Sequence, residues 1–376
     1  MHLRLRSAAI GLLALVAATS CAGPAEVESI DPGGTDGPAT TADPGAGSTA
    51  SPSSSMTPDP DAISSTTAGL PLVLVGCAGG PDSQCAANSS AGAAYLQANV
   101  VGGTYGFRFF RVGGEVVASL NPEHAFYPAS SIKVIQHLHA VRWAAAQPDP
   151  AQALTTPIPV YDDSCEGTGA FRPEPLGEVL AAMMMESDNQ RANAVQDHFG
   201  RAAINATATE VAGTTDTVLA HRFGCGGTAN DPANRSTALD LSRVFEAIAG
   251  EEVLDAEGAR TFAGLMLGPV WPSLESAVAA EGAALGIDLE AVQAFGEALE
   301  LHYKAGWWET SLSVGGLLRF PAAPCAEASP AYAFAVFVEG ADAVAGGFDV
   351  SDVVAVVLRE EIGAALLALV DPACSP

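Results

Sequence analysis

The chain has 376 residues, 48% hydrophobic and 16% charged, which supplies apolar material for one large domain or two lobes sharing a core and is not the composition of a disordered protein. Acidic residues outnumber Lys plus Arg by 43 to 16, and the formal charge of −27 sets the chain against nucleic acid and anionic lipid surfaces as partners.

At the N-terminus, Arg4 and Arg6 precede an apolar run from Ala8 to Ala18 that is short for a bilayer span and reads as a signal peptide. Ala18-Thr19-Ser20-Cys21 resembles a bacterial lipoprotein signal, in which the cysteine thiol is lipidated, although Ala18 stands where Leu is usual; an ordinary small-residue cleavage site is the alternative. Export follows from either, with a membrane tether through Cys21 in the first. Residues 22–69 are rich in Pro, Gly, Ser, Thr and Asp without periodicity, a linker, and the folded domain is expected over 70–376.

Seven cysteines become six if Cys21 carries lipid, an even number suited to disulfides in an oxidising compartment. Proximity suggests Cys77 with Cys85 and the two cysteines near the C-terminus, Cys325 with Cys374, which leaves Cys165 with Cys225 by elimination. Neither cysteine nor histidine spacing suits a metal, and no cofactor is implied.

The first clear pattern is a β-hairpin over Thr104–Leu120 around Gly113 and Gly114. Helical periodicity follows over Ser130–Ala146, and then over Leu176–Glu186, Arg191–Phe199, Thr237–Ala249 and Ala256–Met266. Strands are expected at Leu301–Trp308, Ser311–Phe320 and Tyr332–Glu339, before a last helix over Val353–Val370. The fold class is α+β: the N-terminal hairpin joins the C-terminal strands in one antiparallel sheet with flanking helices, an all-α lobe is inserted, and the active site lies in the cleft between them.

Lysine occurs only at Lys133 and Lys304, whereas arginine serves elsewhere. Arginine cannot release its proton and a buried ammonium can, so each lysine invites a chemical reading. In Ser130-Ser131-Ile132-Lys133 the hydroxyl and amine share a helix face, where a desolvated amine could take the serine proton during attack on a carbonyl. Taken alone, a capping serine and a solvated lysine is the plainer account. Ser187-Asp188-Asn189, at a break between two predicted helices, is by itself an N-cap cluster. Lys304-Ala305-Gly306 ends a strand, with Gly306 permitting close approach of a ligand.

The order Ser-x-x-Lys, Ser-Asp-Asn, Lys-x-Gly resembles the class A β-lactamase and penicillin-binding superfamily, from about Thr104 to the C-terminus. The resemblance implies a β-lactamase-like fold and a serine hydrolase. Ser130 would be the acylated nucleophile, Lys133 its base or proton relay, and Ser187 the donor to the leaving nitrogen. Asn189 would hold a substrate amide, Lys304 would face a substrate carboxylate, and Asp188 would be structural. The backbone N–H groups of Ser130 and Trp307 would form the oxyanion hole, with Ala305 and Gly306 lining the substrate.

Two departures stand out. Ala305 lacks the hydroxyl of the threonine frequent in the family, for which Thr310 or Ser311 is a candidate replacement. The stretch Ala212–Asn234, matching the family's Ω-shaped loop, has no Glu in a recognisable setting, which sets the chain against efficient β-lactam hydrolysis. A Cys165–Cys225 disulfide would anchor that loop instead.

Three functions stay open: acyl-enzyme chemistry at Ser130 on a β-lactam, a cell-wall peptide or a related amide or ester; a D-Ala-D-Ala-type peptidase inhibited by β-lactams; and a non-catalytic envelope binding protein. His137 and His139 face about 200° apart on one helix, which places at least one at the surface. Strand alternation likewise places one of Trp307 and Trp308 in the core, and Met183 to Met185 reads as packing.

Overall fold

The computed structural model describes Cys77, residues 83–225 and residues 232–371 apart from 267, 325, 327 and 347. The expectations for the signal, the linker, Cys21 and the Cys325–Cys374 pair lie outside the described residues.

Helix α1, Gln84–Asn99, starts where the Ser83 hydroxyl accepts the Ala86 N–H at 3.3 Å. Periodicity does not reveal it, because its Ala, Ser, Asn and Gly carry no apolar stripe. The same small residues let it pack closely: a Cβ on Gly92 would lie 2.9 Å from the Phe107 ring and 2.8 Å from Val357. The expected hairpin follows as β1, Val100–Arg111, and β2, Val116–Leu120, with Phe107 opposite Leu120 and Phe109 opposite Ala118.

A 3-10 turn at Ala129–Ile132 leads into α2, Lys133–Ala145, and then α3, Pro150–Leu154. Strands β3, Pro157–Asp163, and β4, Thr168–Pro175, form a separate hairpin. The inserted region is therefore not all-α. The four prolines at Pro157, Pro159, Pro173 and Pro175 mask this hairpin, since proline is tolerated in only the outermost strands. Helices α4, Leu176–Met185, α5, Asn189–Phe199, and α6, Arg201–Ala206, come next, with a π-helical turn at Thr207–Val211. Beyond a long loop are α7, Ala238–Ala249, α8, Ala256–Gly264, α9, Pro272–Leu285, and α10, Leu289–Glu297.

The last three strands are β5, Glu300–Trp308, β6, Ser311–Arg319, and β7, Ala331–Val344. As expected, they join the first hairpin in one antiparallel sheet, and its order is β2-β1-β7-β6-β5. The single C-terminal helix expected over Val353–Val370 is broken at Leu358 into α11, Asp352–Val357, and α12, Arg359–Leu369.

Central β7 explains how the layers close. Its residues from Ala331 to Val338 are buried on both faces. Ala333, Ala335 and Phe337 face a core shared with α2, α4, α5 and α7, while Tyr332, Phe334, Val336 and Val338 face one shared with α1 and α9 to α12. Small residues on the first face bring α7 down onto the sheet, and a Cβ on Gly315 would lie 2.7 Å from Leu241. β5 is one of the two edge strands of this sheet and lies against the 3-10 turn that carries Ser130.

Candidate active site

The turn bearing Ser130 is held by backbone constraints around Pro128. Ala129 adopts φ +46°, and the Pro128 carbonyl accepts three hydrogen bonds, from Ser131 N–H at 3.1 Å, Ser131 Oγ at 2.8 Å and Ser313 Oγ at 2.7 Å. Strained backbone held by such over-determination is characteristic of functional turns. Gly306 on β5 permits the approach: a Cβ there would meet Pro128 O at 2.4 Å, Ser313 Oγ at 2.6 Å and Ser131 N at 2.7 Å. Sequence periodicity puts Ser130 in the first α-helical turn, whereas it lies in the preceding 3-10 turn. With about three residues per turn there, Ser130 and Lys133 still lie one above the other.

Lys133 is fully buried. Its Nζ donates to the Ser187 carbonyl at 2.6 Å and to Asn189 Oδ1 at 2.7 Å, with Ser187 Oγ at 3.4 Å. Burial first, then the positive charge of Lys304, lower its pKa to about 7 against the opposing pull of Asp188. A lysine so placed can exchange its proton near neutral pH. Ser187 is itself left-handed, φ +59°, in the break between α4 and α5. Asp188 is the α5 N-cap, accepting the Arg191 N–H at 2.8 Å and pairing with its guanidinium at 2.9 Å.

Lys304 is also buried, with Nζ donating to the Ala305 carbonyl at 2.9 Å, and desolvation lowers its pKa to about 8. Ser130, half-buried, lies on the wall of two adjoining cavities. The first, about 670 Å³, also includes Ser187, Lys304, Ala305, Gly306 and Trp307. The second, about 540 Å³, includes Asn189 and Trp307. The residues of three distant motifs therefore share one cleft.

The loop between α6 and α7 closes the second cavity. Asn193 clasps it, accepting the Phe223 N–H at 2.8 Å and donating to the Phe223 carbonyl at 2.9 Å. Asn234 Oδ1 accepts the N–H groups of Ala220 and His221 at 2.7 and 3.0 Å. Buried Asp240 accepts from Thr215 N, Asp216 N and Thr217 Oγ1 at 3.0, 2.7 and 3.0 Å. The expected Cys165–Cys225 disulfide ties the loop to the β3–β4 hairpin, and Cys77–Cys85 is also formed. Among its described residues, this loop turns the ring of Phe223 toward Lys133, 4.8 Å from Nζ.

Some expectations fail. Trp307 and Trp308 are both open, 70% and 53% exposed, because the end of edge strand β5 runs past the packed layers. Of the two histidines, His137 is wholly buried, its Nε2 on the Phe262 carbonyl at 2.9 Å, and His139 is the partly exposed one, with Nδ1 on Thr207 Oγ1 at 2.7 Å. Thr310 and Ser311 line the second cavity and Ala305 the first. Met185, unlike buried Met183 and Met184, is 64% exposed on the first cavity's wall. Tyr127, Phe223 and Glu339 are cavity residues that no sequence motif marks; the one local cue is the position of Tyr127 beside the Ser130 motif.

The model of the β-lactamase enzyme family (Beta-lactamase2) matches residues 92–367. No curated protein matches. Among solved structures, a β-lactamase from Sphaerobacter thermophilus is 18% identical with a TM-score of 0.57, covering 74% of this chain and 97% of its own. A point mutant of PBP-A, solved as an acyl-enzyme complex with penicillin G, is 18% identical with a TM-score of 0.53, covering 74% and 96%. The TLA-1 extended-spectrum β-lactamase is 13% identical with a TM-score of 0.54, covering 77% and 100%. At these identities the likeness is one of fold.

Proposed function

This chain belongs to the β-lactamase enzyme family, and on that premise we propose that it is an exported serine hydrolase or acyltransferase that forms an acyl-enzyme at Ser130. The observation that carries this reading is the buried Lys133 amine, lowered to about 7 and held between Ser187 and Asn189 beneath the turn that bears Ser130.

In this mechanism Ser130 Oγ attacks the carbonyl carbon of an amide or β-lactam as its proton passes to neutral Lys133. Charge developing on the carbonyl oxygen is met by the backbone N–H groups of Ser130 and Trp307. The C–N bond then breaks, and the nitrogen leaves with a proton relayed from Lys133 through Ser187, 3.4 Å from Nζ. Asn189 holds the amide on the acyl side, and Lys304 and Gly306 the leaving-group side, with Lys304 facing a carboxylate. Ala305 offers that carboxylate no hydroxyl, so Lys304 carries its recognition.

Return of the enzyme requires water to cleave the Ser130 ester. Among the described residues of the loop, Phe223 and not a carboxylate adjoins Lys133, which supports slow release and a penicillin-binding peptidase in preference to an efficient β-lactamase. Its substrate is then a cell-wall peptide or a related amide, and β-lactams act as long-lived acylating agents.

The chain would run as signal 1–21, linker 22–69 and catalytic domain 70–376, tethered to the outer face of the membrane through lipid on Cys21. Two disulfides support an oxidising compartment, and among the described residues no helix is long and apolar enough to cross a membrane. Covalent labelling of Ser130 by a β-lactam, followed by intact mass, tests the function.

A further inference from the structure

The two cavities flanking Ser130 differ in chemistry. Lys304 and the Ser187 hydroxyl belong to the first, where the mechanism above puts the leaving group. The acyl portion of a substrate is then directed into the second, with Asn189. Among the described residues no lysine or arginine lines that second cavity, but two carboxylates do, Glu309 and Glu339.

Neither carboxylate has an ion-pair partner among the described residues. Glu339 is half-buried at the cavity wall, and its Oε2 accepts the Tyr127 backbone N–H at 3.0 Å. Glu309 stands in the two-residue turn between β5 and β6, at φ +48°, a conformation that favours glycine. It lies near enough to Tyr127 that its charge, after burial, raises the phenol pKa.

Aromatic rings complete the enclosure. Trp307 and Trp308 are exposed at its rim, and Tyr127 stacks on His221 at 6.4 Å and 15° across its wall. Open tryptophan faces beside uncompensated carboxylates suit one ligand class: a cation attracts both the negative face of a ring and an acid. An anionic acyl group would meet two like charges there. The net charge of −27 reinforces this preference at longer range.

The geometry points to an ammonium subsite in the second cavity, formed by Glu309, Glu339, Tyr127, Trp307 and Trp308, that selects substrates whose acyl portion carries a free amino group. This inference rests on the acyl-enzyme reading of Ser130. It narrows the substrate to a peptide-like amide with a basic group on the acyl side and, opposite Lys304, a carboxylate on the leaving side.

Its test uses the purified full chain and three penicillins that share a phenyl-bearing acyl group and differ at one carbon, which carries hydrogen, ammonium or carboxylate. Thioesters of glycine N-acylated with the same three groups form a parallel set without the β-lactam ring. The second-order rate of acylation at Ser130 is read by intact mass. The ammonium compound should react about fivefold or more faster than the neutral one, and the carboxylate compound slowest. In Glu309→Gln combined with Glu339→Gln, which retains an acceptor for the Tyr127 N–H, the ammonium-to-neutral ratio should fall toward one. Equal rates for the three charges, or a preference for the carboxylate, would overturn the subsite while leaving Ser130 acylation intact. No acylation by any of the six compounds would overturn the functional reading and the subsite with it.

Discussion

The Lys133 ammonium lies 4.8 Å from the centroid of the Phe223 ring. A ring can stabilise the charged amine through its quadrupole but cannot take a proton from water. In the proposed mechanism the contact separates two halves of the reaction: Lys133 serves acylation at Ser130, while the described residues of the loop set a ring, not a carboxylate, beside it for hydrolysis.

Phe223→Glu should change the two halves in opposite directions. A carboxylate beside Lys133 favours its charged form and raises its pKa, which slows acylation at pH 7. The same group can act on water, so the acyl-enzyme should decay at least about tenfold faster than in the parent protein. Stopped incubations followed by intact mass give both rates, and an unchanged lifetime would separate Phe223 from slow release.

The pH profile of acylation follows from the two lysines. Lys133 must be neutral to accept the Ser130 proton, so the rate rises with pH through about 7. Lys304 must stay charged to hold a carboxylate, so the rate for such substrates falls as pH passes about 8. The second-order acylation rate should therefore peak between these values. Removing the like charge in Lys304→Met raises the Lys133 pKa, and the acid limb should move to higher pH in a titration of the labelling rate.

Gly306→Ala should disable the site from the far side of the turn. Its new Cβ would begin 2.4 Å from Pro128 O and 2.7 Å from Ser131 N, so β5 or the Ser130 turn must shift. Displacements of about 1 Å cost on the order of 100-fold in rate, and labelling kinetics with circular dichroism of the folded protein would distinguish this from loss of fold.

Replacing Cys165 and Cys225 together with serine releases a cross-link between residues 60 apart in sequence. Loop-closure entropy alone puts the loss at about 4 kcal/mol. A denaturant melt should show lowered stability, while the Asn193 clasp on Phe223 keeps part of the loop in place.

Much of this site is legible in the sequence, because Ser130 with Lys133 and Ser187 with Asn189 are local patterns, and the scarcity of lysine singles out Lys304. The Cys165–Cys225 pairing and the membership of the large sheet are also legible, the latter from apolar strands at both ends of the chain, whereas its strand order is not. The rest depends on information that periodicity does not carry. Helix α1 packs through small residues such as Gly92, and β3 and β4 carry prolines that argue against strands. Trp307 and Trp308 are both open because β5 outruns its covering layers, which alternation along one strand does not register. Glu339 on β7 meets the backbone of Tyr127, 212 residues away in sequence, with no local motif linking them.

Intact mass of the full chain after incubation with a penicillin and, separately, a fluorophosphonate, beside a Ser130→Ala control, tests the central claim most directly. One adduct per chain is expected, absent in the control, with the penicilloyl form persisting long after excess reagent is removed. An unmodified chain with both reagents, or an adduct that survives Ser130→Ala, would contradict it.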